Sequence, residues 1–169
     1  MAYPPVIIVD EQDQEVGLAP LDEASAKGLY HRLVRIVIED EQGRLLLQKR
    51  AAHMRTFPNC WDSAAAGHVD QGDTYDSAAQ QELAEEVGLH LPLTRVGRYF
   101  SKSDLGSIKE YAFSAVYRYR GPVTALQLQL EAHEVSEARW FTVAEIKKLL
   151  AERPAECTDG LREIIARYY

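Results

Sequence analysis

Apolar positions along this chain fall mostly in short runs, several of them alternating with polar residues, and few stretches space them at helical intervals. Val6 to Val9 reads as a first short strand, Asp10 to Gln14 as a polar turn, and Glu15 to Leu18 as the return of an N-terminal hairpin. Ala19 to Tyr30 is polar, breaks at Pro20, and is expected to wrap the domain edge. Leu33 to Glu39 alternates in strand fashion, Asp40 to Gly43 turns, and Arg44 to Lys49 returns with Leu45 and Leu47 on one face, which predicts a second hairpin. Trp61 to Ala66, Val96 to Ser101, Tyr111 to Tyr119 and Ala138 to Phe141 read as further strands, the third rich in aromatic and β-branched residues.

Helical spacing appears where Ala79, Leu83 and Val87 recur every fourth position, behind Thr74 as N-cap and ahead of Gly88 as the stop. Thr142 and Glu145 form a capping box for a helix running towards Ala151. Pro154 separates that helix from a last one carrying Leu161, Ile164, Ile165 and Tyr168. Strands and helices mix, so the expected class is α/β with a mixed sheet between helices. One domain over residues 1–169 is expected, with 1–30 an N-terminal strand and hairpin extension packed on it.

Composition narrows the chemistry. A net charge of −7 without any basic run argues against a nucleic-acid partner. Cys60 and Cys157 make neither a zinc spacing nor a disulfide framework, and no stretch reaches the roughly 18 apolar residues of a membrane span. The first residues, MAYPPVIIVDEQDQE, lack a basic n-region and an apolar h-region, so a cytoplasmic protein is expected.

The densest chemistry lies between Gly67 and Leu89, where Glu82, Glu85 and Glu86 crowd onto one short helix. Glu82 and Glu86 lie one above the other and Glu85 beside them, so like charges repel unless a cation joins them. Hard carboxylate oxygens suit Mg²⁺, or Mn²⁺, over zinc. A bare ExxEE also occurs as a solvated acidic face, and the flanks decide between the two.

Those flanks, GHVDQGDTYDSAAQQELAEEVGL, resemble the Nudix box, G-x5-E-x7-R-E-U-x-E-E-x-G-U with U a bulky apolar residue. Gly67, Glu82, Leu83, Glu85, Glu86, Gly88 and Leu89 match in register; Asp73 stands where the family has glutamate and Gln81 where it has arginine. In the family those two side chains brace loop to helix, and here an Asp73 to Gln81 hydrogen bond is a weaker substitute, unless Gln81 simply faces water. The resemblance covers roughly Leu33 to Leu150 and implies an α/β/α sandwich and a hydrolase cleaving a diphosphate linkage in nucleoside di- or triphosphates or related nucleoside diphosphate compounds. It also implies Mg²⁺ held by Glu82, Glu85 and Glu86 with the Ala66 carbonyl. The general base would be a box glutamate or a carboxylate of a later loop; Glu134 is the choice here, with Glu110 a further candidate and Glu137 a partner of Arg139.

The N-terminal segment, His31 and KRAAHMRTFPNCWDSAAAGH resemble the branch holding isopentenyl-diphosphate isomerases and their hydrolase relatives. Isomerase chemistry needs a cysteine before the Gly-His pair, where this chain has Ala66, and that branch degrades the glutamate cluster that is intact here. His31 and His68 match its metal-binding histidines, and are read here as hydrogen-bonding the loop in preference to holding a cation. An isomerase-like enzyme and a catalytically weak nucleotide-binding module stay as alternatives. Arg50 and Arg55 are candidates to grip phosphate or are ordinary surface cations. Phe57, Trp61, Tyr99 and Phe100 stack a base or, in the favoured reading, fill the core. Lys102 and Lys109 border a Gly106 loop able to close over substrate, a small molecule bound by a monomer or homodimer.

Overall fold

Two aspartates fold the first turns. Asp10 Oδ1 accepts from the N–H groups of Gln12 and Gln14 at 2.8 and 2.9 Å, and Asp40 Oδ1 from those of Gln42 and Arg44 at 3.0 and 2.8 Å, side-chain mimics of a backbone turn. The structure, a computed structural model, describes residues 3–169. Its strands are β1 (Val6–Val9), β2 (Glu15–Ala19), β3 (His31–Glu39), β4 (Leu45–Arg50), β5 (Trp61–Asp62), β6 (Ala65–His68), β7 (Thr94–Leu105), β8 (Ile108–Arg120) and β9 (Val135–Phe141). The helices are α1 (Leu21–Lys27), α2 (Tyr75–Val87), α3 (Val143–Glu152) and α4 (Asp159–Tyr168).

The β3–β4 turn forms as predicted, but the strands then part, pairing only at Glu39 and Leu45. β3 runs parallel to β8 from His31 to Glu39 and antiparallel to β6 from Leu33 to Ile36. β4 pairs instead with β9 and β5. The predicted single strand Trp61 to Ala66 is correspondingly split, since β5 belongs beside β4 and β6 beside β3, and the small buried Ser63 and Ala64 carry the chain across.

Alternation along β3 and β4 sends side chains to opposite faces, both buried. Ile36, Ile38 and Leu46 pack with Ala79, Leu83 and Val87 of α2. Val37, Leu45 and Leu47 pack with Ile146 and Leu149 of α3 and Leu161, Ile164 and Ile165 of α4. The result is the expected α/β/α sandwich, each larger side chain contributing roughly 1.5–3 kcal/mol by burial.

β1 joins the sheet by a single pairing with β3, Ile8 opposite His31, and carries β2 on its outer edge. Asp13, 3% exposed, ties this hairpin down, accepting from Arg32 Nε, Arg98 and the Tyr75 hydroxyl at 2.7, 2.6 and 2.8 Å. Within the stretch expected only to wrap the edge, α1 forms after Pro20 and ends at Gly28, whose φ of 67° suits a residue without a Cβ. At the other hairpin, β7 and β8 stay paired out to Leu105 and Ile108. Lys102 and Lys109 are therefore ladder residues, not members of a closing loop, and Lys102 lies over the Tyr30 and Tyr111 rings at 5.4 and 5.0 Å. No helix among the described residues is long and apolar enough to cross a membrane.

Candidate active site

Local signals set α2 in place. The Thr74 hydroxyl accepts from Ser77 N–H at 3.1 Å, and the Ser77 hydroxyl engages Thr74 N–H at 2.9 Å, a reciprocal cap. Gly88, φ 75°, closes the helix and donates to Ala84 O at 3.1 Å. Burying Ala79, Leu83 and Val87 turns Glu82 and Glu86 towards β6 and leaves Glu85 exposed.

Glu86 is 3% exposed and accepts from Ala66 N–H at 3.0 Å and from the Gln48 side-chain amide. Glu82 lies against Gly67 so closely that a Cβ there would stand 2.1 Å from its Cδ. Glu134 arrives from the other side. Its loop is tied to α2 by Gln129 N–H to Val87 O at 2.9 Å and Glu131 N–H to Glu86 O at 3.0 Å, and to the end of β4 by Ala51 N–H to Glu134 O at 2.8 Å. The structure thus brings Glu82, Glu85, Glu86 and Glu134 into one field beside Ala66.

Electrostatics follow from that crowding. Burial, then the charges of Glu86, Glu85 and Glu134, push Glu82 up to about 9. Burial lifts Glu86 to about 8 against the pull of the Gln48 and Ala66 hydrogen bonds. Glu134 is raised by burial and by Glu85, with Arg50 opposing. Both box carboxyls hold protons more tightly folded than unfolded, where the value is 4.5. The cluster's stabilising contribution is therefore complete below about pH 4.5 and is lost as pH rises through 8 and 9. Metal-free protein should melt at a lower temperature at pH 8.5 than at pH 6, and the Mg²⁺-induced rise in Tm should grow over that interval. A pH-independent Tm shift would contradict this.

Glu82 and Glu86 present hard carboxylate oxygens side by side, and among the described residues no basic side chain pairs with either, a donor set of the kind a divalent cation takes. Among the described residues no three His, Cys, Asp or Glu side chains stand in ligating geometry.

Other expected residues fall elsewhere. Asp73 and Gln81 do not pair: Asp73 accepts from the Ser77 hydroxyl at 3.1 Å, and Gln81 donates to Glu85 at 3.0 Å. Ser77, one turn after Asp73, captures the shorter carboxylate first. Arg50 gives Nε to Thr56 O at 3.0 Å and a second donor to Thr56 Oγ1 at 3.2 Å, so its fork is largely filled. Arg55 is exposed and pairs with Asp22 of α1. His31 Nδ1 donates to Leu29 O at 2.9 Å, its ring 5.4 Å from that of His68. Glu110 lies 3.6 Å from Arg35, and Glu137 pairs with Arg139 as read from sequence. Trp61 and Tyr99 are core, Phe100 packs on Phe113, and Phe57 is half-buried beside the Arg50 loop. No motif or spacing in the sequence marks Gln48, Arg35 or Asp62. Only strand parity could have found Gln48, which shares the Leu46 face of β4 against α2.

The NUDIX domain family profile matches residues 29–161, the span holding β3, β6, α2 and Glu134. The chain is 35% identical over 164 residues to an isopentenyl-diphosphate Delta-isomerase of Nocardia farcinica, covering 95% of this chain and 92% of that protein. It is 34% identical over 157 residues to an uncharacterized Nudix hydrolase of Pseudomonas aeruginosa, covering 92% and 88%. The crystal structure of DR0079 from Deinococcus radiodurans is similar with a TM-score of 0.80 at 24% identity, over 98% of this chain and 99% of that one. This chain belongs to the Nudix family, as an enzyme of the hydrolase class that acts on phosphorus-containing anhydrides.

Proposed function

We propose that this chain is a Mg²⁺-dependent hydrolase of a diphosphate linkage in nucleoside di- or triphosphates or other nucleoside diphosphate compounds. The observation that carries the reading is the pair of carboxylates, Glu86 buried and Glu82 half-buried against Gly67, with Glu134 across from them. In this reading Glu82, Glu85 and Glu86, with the Ala66 carbonyl, hold the cation. Bound there, it neutralises phosphate charge and acidifies water. Glu134, its basicity raised by its surroundings, is placed to take the proton of the attacking water. Arg55, exposed and paired with Asp22 at the surface, is the residue that would exchange that carboxylate for a phosphate, while Arg50 holds the loop that carries it.

The isomerase reading meets Ala66, which has no proton to transfer at the required position. A catalytically weak nucleotide-binding module is favoured by one observation, the missing brace between Asp73 and Gln81. Product analysis with Mg²⁺ over nucleoside di- and triphosphates, nucleotide sugars, dinucleotides and isopentenyl diphosphate separates the three. The hydrolase reading expects phosphate-ester products from a nucleoside compound. Isomerised isopentenyl diphosphate, or tight nucleotide binding without turnover, would overturn it.

A further inference from the structure

Two turns meet beside the carboxylate cluster, and each presents a histidine. Ala51 to Met54 closes by Met54 N–H to Ala51 O at 3.2 Å, with His53 at its third position. Glu131 to Glu134 closes by Glu134 N–H to Glu131 O at 3.0 Å, with His133 likewise third. Ala51 N–H then donates to Glu134 O at 2.8 Å, so a backbone bond ties one turn to the other. The two histidines are exposed, and their rings face each other with centroids 6.3 Å apart and planes at 78°.

The fold leaves these rings uncommitted. Among the described residues neither imidazole takes part in a hydrogen bond or an ion pair, in contrast to His31, whose Nδ1 meets Leu29 O. The backbone that carries them is already held at both turns and between them, so a ligand shared by the two rings would have only side-chain rotamers to order.

Charge and donor chemistry select that ligand. His133 stands between Glu131 and Glu134 in its turn, and Glu131 Oε1 accepts from His133 N–H at 3.0 Å, so carboxylates border the rings on that side. Arg55, two residues after His53, is engaged by Asp22. The local field therefore favours a cation over a phosphate. Imidazole nitrogen suits borderline transition ions such as zinc, whereas the hard carboxylates of α2 suit Mg²⁺. Zinc holds imidazole nitrogens at about 2.0–2.1 Å, which two facing rings can reach by turning, with water or a Glu131 oxygen completing a tetrahedral shell. We infer that His53 and His133 form a second metal site, separate from the glutamate cluster, which takes a zinc-class ion and clamps the turn bearing Glu134 to the loop bearing Arg55. Binding there is independent of whether the chain hydrolyses nucleotides.

Calorimetric titration of the full chain with zinc chloride, in buffer holding millimolar Mg²⁺ to occupy the glutamate cluster, tests the site. One zinc ion per chain is expected to bind with micromolar affinity. Its Kd should rise at least about tenfold in His53→Gln and in His133→Gln, and stay unchanged in Glu86→Gln. Both histidines are exposed, so the variants should fold as the wild type does, and zinc should raise the Tm of the wild type but not of either variant. Binding that survives both histidine changes, or that excess Mg²⁺ or Glu86→Gln abolishes, would put the ion among the glutamates and overturn the inference. Absence of zinc binding at submillimolar concentration would overturn it too, as would binding of inorganic phosphate in its place through the same two histidines.

Discussion

Glu86→Gln is expected to lower kcat/KM by about 100-fold or more, near 2.7 kcal/mol of lost transition-state stabilisation, in a chain that remains folded. Glu86 offers its two oxygens to a peptide N–H and an amide on the protein side, and the proposed cation competes for one of them. An amide at this position keeps the volume and removes the charge. It accepts from either Ala66 N–H or Gln48, so one buried contact is lost at about 1–3 kcal/mol. Against that, burial already disfavours the ionised carboxylate, which Gln relieves. The melting temperature should therefore change little in metal-free buffer, while the Mg²⁺-induced rise disappears. Full turnover by the variant would place the cation elsewhere.

Gly67→Ala is expected to impair both fold and activity. The added methyl would fall 2.1 Å from Glu82 Cδ and 2.3 Å from its Oε1, well inside contact distance. The backbone there is fixed by pairing of Gly67 with Val34, so the strand has little room to yield. Glu82 must swing away, taking one carboxylate from the cluster, and the overpacking costs about 1–3 kcal/mol. Activity should fall by about 100-fold or more, because the proposed ligand set loses the position of Glu82. Thermal melting beside steady-state kinetics checks the pair of effects; an alanine variant with normal turnover would mean that Glu82 works from another rotamer.

What the sequence revealed of α2 was local in origin. Thr74, the Ala79–Leu83–Val87 stripe and Gly88 act within a few residues of one another, and the glutamate register follows from them. The divergence of β3 from β4 was hidden, because partners for each strand lie far along the chain in β8, β6 and β9. α1 was hidden for a different reason: seven residues with Pro20 at the start present no apolar period. Within the site, Glu134 was nominated by its place in a late loop, but its approach to α2 depends on Glu131 donating to the Glu86 carbonyl. The Asp73–Gln81 contact failed because Ser77 and Glu85 each lie one helical turn nearer. Arg35 was unreadable, since a charged residue inside a β-branched strand gives no sign of the carboxylates, Asp62 and Glu110, that it faces.

Hydrolysis of a nucleoside diphosphate compound in ¹⁸O-enriched water, with and without Mg²⁺, tests the central claim most directly. The account predicts metal-dependent cleavage with one ¹⁸O atom incorporated into a phosphate product, lost in Glu86→Gln. Unlabelled phosphate products, or cleavage that is indifferent to metal and to Glu86, would contradict it.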